Sequence, residues 1–296
     1  MSEAGAGRAA WMAAAIPAVF VLIWSTGFVV ARFGMPLAPP LSFLAWRYTF
    51  SVIAFAVWVR FSAAQWPTQR SAFVHLAVTG VLMHAGYLGG VWSAVKLGMG
   101  AGTVALLVGL QPVLTALWLS RERQSGGVAA SQWGGLLLGL SGLYLVVAHK
   151  LGMGEVHGLN LALALLALFC ITAGTLYQKR FVQPCDVRTA SLIQLSAAGL
   201  VTWPLAWLEV EPMQWGLQLD LAMAWSVGVL TMGGSSLLYM LIQRGAATRV
   251  TSLMYLVPPC TALLAAVLFG EELSGTMLMG MVLTAAGVAW VARSKG

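Results

Sequence analysis

Charged residues are scarce in this sequence. Only 8% of its 296 residues are Asp, Glu, Lys or Arg, whereas 59% are hydrophobic, and an ordinary soluble domain carries about 25% charged residues. This composition excludes a soluble globular domain. Apolar stretches of roughly 18 or more residues recur along the chain, and each is long enough to cross about 30 Å of hydrocarbon as a helix.

Reactive groups are also few. The three cysteines include Cys170 and Cys260 inside apolar stretches, so the sequence predicts no disulfide framework. No Walker loop, dinucleotide-binding glycine pattern, H-E-x-x-H or Cys/His cluster is present, and we expect no metal and no cofactor. None of the nine acidic residues lies in the middle of an apolar stretch, which leaves His84 as the only deep titratable side chain for proton coupling.

The apolar stretches predict an all-α polytopic membrane protein. We predict ten spans, at 12–33, 41–61, 71–95, 102–120, 131–149, 158–178, 187–208, 219–243, 249–269 and 275–293. Connections between them are short, so almost nothing lies outside the bilayer.

The net charge of +7 indicates topology rather than nucleic-acid binding. If the N-terminus is cytoplasmic, twelve of the sixteen basic residues fall in inside segments. The acids lean outward, at Glu155, Glu209, Glu211, Asp220, Glu271 and Glu272. Because basic residues are retained on the cytoplasmic side, we predict cytoplasmic N- and C-termini in a cell inner membrane.

The chain repeats itself. L-Q-P-V-L-T-A-L around Pro112 aligns with L-V-P-P-C-T-A-L around Pro258, and Gly86 aligns with Gly233. The repeats predict two five-helix units, 12–149 and 158–293. Since five is odd, the second unit enters the membrane from the opposite side, and such inverted repeats are a recurrent transporter architecture with the substrate site near the midplane.

Two equivalent helices carry polar and aromatic side chains on one face. The third span has His84, Leu88, Trp92 and Lys96 at i, i+4 spacing, and the eighth has Thr231, Ser235, Tyr239 and Gln243. Residues four apart share a helix face, so we predict a cavity lined by both stripes. The alternatives are interfacial anchoring for Trp92, Lys96, Tyr239 and Gln243, and an interhelical hydrogen bond for His84.

Prolines interrupt both repeats at matching places. Pro112, next to Gln111, and the pair Pro258 and Pro259 each remove a backbone donor inside a predicted span. Paired interruptions point to a transporter site, so we predict hinges there and a cavity contact for Gln111; inert kinks are the alternative. Trp24 is a further cavity candidate. For Arg47 we favour snorkelling to headgroups over an anion contact at the cavity mouth.

These motifs resemble the drug/metabolite transporter superfamily, EamA type. The resemblance rests on W24-S-T-G-F-V-V-A-R-F-G-M-P, F43-L-A-W-R-Y, the Pro112 region and L256-V-P-P with L268-F-G-E-E. It implies ten spans in an inverted duplication and export of small metabolites, amino acids among them, as in the YddG-like branch. The first half departs from the pattern, with R121-E-R-Q where the second has G270-E-E.

Together these observations predict an exporter of amino acids or similar small metabolites that works by alternating access, and not an enzyme. A broad drug or nucleoside exporter is the close alternative, and an intramembrane lipid-modifying enzyme the distant one. We expect a monomer in the lipid bilayer whose partner is its small-molecule substrate.

Overall fold

A computed structural model describes residues 3–111, 113–115, 118, 130–234, 237 and 256–293. These residues form ten helices and no strand. The helices are α1 (Glu3–Gly34), α2 (Pro40–Arg60), α3 (Arg70–Lys96), α4 (Ala101–Val108), α5 (Ala130–Gly152), α6 (Gly158–Phe181), α7 (Val187–Ala206), α8 (Leu217–Gly233), α9 (Val257–Phe269) and α10 (Gly275–Arg293). Each predicted span overlaps one of them, and the all-helical prediction is confirmed.

Five of the helices are individually long and apolar enough to cross a membrane, judged by length and composition. These are α2, α3, α5, α6 and α7, and the shorter apolar helices correspond to the remaining five spans. Large hydrophobic side chains such as Leu200, Trp207 and Val267 are exposed on the outside of the bundle. Such exposure is expected where lipid rather than water surrounds the helices.

Helix packing follows the division into two halves. Three pairs of equivalent helices pack against each other, namely α2 with α7, α4 with α9, and α5 with α10. Other contacts come in matched sets: α3 packs on α6 and α7, while α8 packs on α1 and α2. In the second set, α8, α1 and α2 take the places that α3, α6 and α7 have in the first. These are the equivalent helices of the two repeats, so the packing agrees with the predicted pseudo-two-fold arrangement.

Small residues allow a close approach between α5 and α10. A Cβ built on Gly287 would lie 2.3 Å from the Gly139 nitrogen and 2.5 Å from the Gly135 carbonyl oxygen. The two backbones are therefore in contact, as small residues permit between membrane helices. No described side chain of either helix lines the cavity that lies between the two halves.

Two long helices contain a π-helical stretch. In α3 it covers Val81–Gly86 and in α8 it covers Trp225–Gly233. Both stretches end on the glycines that the repeat alignment pairs, Gly86 and Gly233. A π-helical turn is rare and frequently marks a functional site, and here two equivalent helices carry one.

One end of the bundle is rich in carboxylates that bind helix N-termini. Glu209 accepts hydrogen bonds from the amides of Leu41 and Ser42 at 3.0 and 2.7 Å. Glu155 and Glu271 accept from the amides of Gly100 and Ala101 at 2.9 and 3.0 Å. Carboxylates at helix N-termini satisfy free amides and oppose the positive end of the helix dipole. This carboxylate-rich end joins the two halves of the chain.

Candidate functional site

A cavity of about 120 Å³ lies between the two halves. Its wall comes from five helices: Trp24, Gly27 and Phe28 of α1, Arg47 of α2, Met83, His84, Tyr87, Leu88, Val91 and Trp92 of α3, Ile171 of α6, and Leu230 and Thr231 of α8. Both π-helical stretches contribute to it. We call this the central cavity.

The central cavity lies deep in the bundle. Arg47 is seven residues from the start of α2 at Pro40, or about 10 Å along the helix at about 1.5 Å per residue. His84 is twelve residues from the end of α3 at Lys96, or about 18 Å by the same rise. Polar side chains at this depth are costly unless they have partners, and they mark functional sites by default.

The predicted stripe on α3 faces the central cavity over most of its length. His84, Leu88 and Trp92 all line it. Trp92 is buried and stacks on Phe43, with ring centroids 4.5 Å apart and planes at 25°, so its indole is held rigidly. Trp24 also lines the cavity. The structure brings these four predicted residues together.

Lys96, the last residue of that stripe, lies elsewhere. Its ammonium donates to the Met35 carbonyl oxygen at 2.9 Å and forms an ion pair with Glu211 at 2.6 Å. The stripe continues past the cavity to the carboxylate-rich end, where Lys96 finds this partner. The prediction that Lys96 lines the cavity therefore does not agree with its position.

Gln111 also lies outside the central cavity. Its side-chain amide donates to the Thr175 hydroxyl at 2.8 Å, which joins the region after α4 to α6. This is the interhelical hydrogen bond that a polar side chain commonly makes between membrane helices. The remaining predicted residues Pro112, Ser235, Tyr239 and Gln243 lie outside the described residues.

The prolines of the second repeat occupy the first turn of α9 as the structure describes it. Pro258 and Pro259 follow Val257, where the described α-helix begins, and residues 251–255 before it lie outside the described residues. The Pro258 ring packs against Gly109, where a Cβ would lie 2.8 Å from its Cγ. Gly109 directly follows the α-helical part of α4.

Arg47 does not have the headgroup contact that the sequence favoured for it. Its side chain is buried, with 8% exposure, and lines the central cavity instead of reaching headgroups. Its Nε and Nη2 donate to the Thr231 hydroxyl at 3.3 and 3.2 Å. That hydroxyl donates in turn to the Ser226 carbonyl oxygen at 2.8 Å, within the π-helical stretch of α8. The π-helical backbone thus orients Thr231, and Thr231 orients the guanidinium.

Arg47 has no acidic partner among the described residues. The ion pairs found there involve Lys96, Lys150 and Arg188, and no described acid lines the central cavity. Nη1 of Arg47 also makes no hydrogen bond to any described residue. The central cavity is consequently an apolar and aromatic chamber that contains one permanent positive charge.

A second polar pair occupies the equivalent place in the other half. An offset of 147 residues relates Arg47 to Gln194 and Thr231 to His84, as it relates the starts of α2 and α7. The His84 imidazole lies beside the Gln194 side chain, and the Tyr48 hydroxyl donates to the His84 carbonyl oxygen at 2.9 Å. The repeat alignment contained this signal, because it pairs a mid-span arginine with a polar residue.

Known proteins resemble this chain in both sequence and fold. A model of the EamA-like transporter family matches residues 11–148 and again 159–293. A "Probable amino-acid metabolite efflux pump" of Salmonella typhimurium is 26% identical over 285 residues, which cover 90% of each chain. The "Uncharacterized inner membrane transporter YedA" of Escherichia coli K12 is 27% identical over 258 residues, covering 86% of this chain and 81% of that one. A crystal structure superimposes with a TM-score of 0.63 at 19% identity, covering 95% of this chain and 96% of the other, so the fold is shared.

Proposed function

The chain belongs to the EamA-like transporter family, a family of transporters and not of enzymes, and on this premise we propose that it exports amino acids or similar small metabolites across a cell inner membrane. The observation that carries the proposal is the central cavity, which lies between the two halves of the chain and is lined from both. Transporters built from repeats place their substrate sites there. The efflux-pump and inner-membrane names of the relatives add support.

The size of the central cavity favours small metabolites over drugs. Its volume of about 120 Å³ is below the range of roughly 300–1,000 Å³ that is usual for drug-sized ligands. Trp24 and Trp92 give it broad apolar surfaces, and Arg47 and His84 give it polar groups that can orient a substrate. This combination suits a metabolite with an apolar body and a charged head.

We propose alternating access of the two repeats, 12–149 and 158–293, around this cavity. The matched helix packing and the two π-helical stretches support an inverted pair. The contact between Gly109 and Pro258 joins α4 to its equivalent α9, where we place the hinge together with Pro112 and Pro259. Cytoplasmic termini complete the proposed topology, on the charge distribution described above.

Reconstituted transport tests this function directly. The purified protein in liposomes is expected to exchange labelled amino acids from a panel, measured with and without an imposed pH gradient. A protein with no flux for any amino acid, but with flux of nucleosides or cationic drugs, would replace the proposal by the broader exporter. The same panel separates proton-coupled transport from exchange.

The hinge is tested by substitution. Pro112→Ala and the double change Pro258→Ala with Pro259→Ala are both expected to slow exchange while the protein still inserts and purifies as a single species. Pro67→Ala, in the loop between α2 and α3, serves as the control. Unchanged exchange rates in both hinge variants would mean that the prolines have no part in the transport cycle.

A further inference from the structure

We propose that Arg47 binds the carboxylate of the transported molecule, and that the central cavity accepts small apolar monocarboxylates whether or not they carry an α-amino group. The inference rests on the proposed function in one respect only, that this cavity is the transport site. It names a binding residue and a substrate class that the family and its relatives do not assign.

The positive charge of Arg47 is buried without a negative partner among the described residues. A buried guanidinium is expensive unless an anion or several acceptors compensate it. Within the described residues Arg47 has one neutral acceptor, the Thr231 hydroxyl, and no carboxylate. Thr231 is itself buried, so the pair is not solvated from that side. A structural arginine would have its own acid, whereas an arginine with open donors facing a cavity is arranged for an anion from outside the protein.

The second step is the geometry of the open donors. Thr231 occupies Nε and one N–H of Nη2, which leaves Nη1 and the second N–H of Nη2. Those donors lie side by side at the tip of the planar guanidinium, and this is the arrangement that binds both oxygens of a carboxylate. The hydroxyl of Thr231, fixed by the carbonyl oxygen of Ser226 at 2.8 Å, holds the other edge of the guanidinium in place.

The third step excludes other anions and other head groups. A phosphate monoester carries nearly two negative charges at neutral pH, and the described wall of the cavity offers a single guanidinium. An ammonium group finds no carboxylate on that wall and is repelled by Arg47. The remaining wall is largely apolar or aromatic, including Phe28, Leu88 and Trp92. One carboxylate on an apolar body is therefore the complementary ligand, and an α-amino group is tolerated rather than required.

Three ligands that share a phenylethyl body separate these contributions. The probes are 3-phenylpropanoate, L-phenylalanine and 2-phenylethylamine, tested at millimolar concentration for their effect on the unfolding temperature of the purified full chain in detergent. A ligand that binds only the folded state raises that temperature by mass action. We expect both carboxylates to raise it to a similar extent and the amine to leave it unchanged. Stabilisation by the amine, or by neither carboxylate, would overturn the proposal.

Two variants assign the effect to Arg47. Arg47→Gln is expected to weaken binding of 3-phenylpropanoate by at least about tenfold, and Arg47→Lys to weaken it less, since an ammonium keeps the charge but loses the paired donors. Arg60→Gln is the matched control, because Arg60 ends the same helix and does not line the cavity. Wild-type affinity in a folded Arg47→Gln protein would also overturn the proposal.

The outcome is distinguishable from failure of the transport function. If the carboxylates bind through Arg47 but no amino acid or carboxylate is exchanged in liposomes, the transport proposal fails and the carboxylate site stands. If amino acids are exchanged at the same rate by wild type and Arg47→Gln, the transport proposal stands and the carboxylate site fails. The ligand series on the wild-type protein gives its answer even where a variant does not fold.

Discussion

Two pseudo-equivalent side-chain pairs flank the centre of this protein, and they differ in charge. Arg47 of α2 donates to Thr231 of α8, and at the equivalent place Gln194 of α7 lies beside His84 of α3. The helices, their contacts and their π-helical stretches repeat in the two halves, whereas the side chains of these two pairs differ. A duplicated backbone therefore supplies two similar walls, and substitutions on one side give the cavity its positive charge.

Backbone packing at the two pairs differs as well, and this gives the largest expected effect. A Cβ on Gly80 of α3 would lie 2.2 Å from the Gln194 carbonyl oxygen and 2.6 Å from its Cα. Gly80→Ala must therefore push α3 away from α7, and overpacking of this kind costs about 3 kcal/mol of unfolding free energy. Thermal unfolding in detergent measures the loss. Equal unfolding temperatures for Gly80→Ala and wild type would contradict the close approach.

The control for that experiment lies on the equivalent helix. A Cβ on Gly228 of α8 has no neighbour within 4 Å, so Gly228→Ala is expected to purify and unfold like the wild type. The position equivalent to Gly80 is Val227, so the glycine contact between α3 and α7 has no glycine counterpart between α8 and α2.

The second prediction moves the charge between the pairs. Arg47→Gln combined with Gln194→Arg places a guanidinium beside His84 in the way that Arg47 lies beside Thr231. If the two pairs are equivalent in backbone, the new guanidinium lies beside His84, which lines the cavity. The double variant should then recover about half of the free energy of 3-phenylpropanoate binding that Arg47→Gln loses. The unfolding-temperature titration measures it. Binding no stronger than that of Arg47→Gln would mean that position 194 does not reach the cavity.

Sequence reasoning predicted the fold and part of this comparison. Long apolar runs specify helices because the bilayer leaves a backbone no other way to satisfy its hydrogen bonds, and i, i+4 spacing placed His84 and Trp92 on one face. The role of Arg47 was misjudged because it depends on a contact between α2 and α8, which are far apart in sequence. The prediction for Lys96 does not agree with the structure, because residues on one helix face can extend beyond the end of a cavity.

The third prediction weakens the charged pair without removing the charge. Thr231→Val keeps the side-chain volume but deletes the acceptor of two Arg47 donors, so the guanidinium loses its fixed orientation. We expect binding of 3-phenylpropanoate to weaken about fivefold, in keeping with a net hydrogen-bond contribution of about 1 kcal/mol. Thr172→Val is the control, since its buried hydroxyl donates only to the Leu168 carbonyl oxygen of its own helix at 2.7 Å. A fivefold loss in both variants would remove the special role of Thr231.

The smallest effect concerns the N-termini of α2 and α7, which are capped in different ways. At α2 the N-cap residue Pro39 has no side-chain cap, and Glu209 from the loop after α7 accepts from the Leu41 and Ser42 amides. At α7 the N-cap is Asp186, which accepts from the Arg188 amide at 2.9 Å. Its other oxygen accepts from the Gln65 amide at 3.2 Å, in the loop after α2.

Asp186→Asn tests the cap at α7 and its dependence on pH. Hydrogen bonds from the Arg188 side chain hold the pKa of the Asp186 carboxyl down at about 2, against about 3.9 in an unfolded chain. A lowered pKa stabilises the fold above the unfolded value, and the stabilisation disappears as the pH falls through 4 towards 2. Asparagine still accepts a hydrogen bond at the N-cap, so Asp186→Asn removes only the charge. We therefore expect it to unfold about 2 °C below wild type at pH 7, for a charge contribution of about 1 kcal/mol, and the difference to shrink at pH 3. Asp220→Asn, at an exposed acid in the first turn of α8, is the control and should leave the unfolding temperature unchanged. A difference between Asp186→Asn and wild type that does not change with pH would show that the carboxylate charge has no part in the cap.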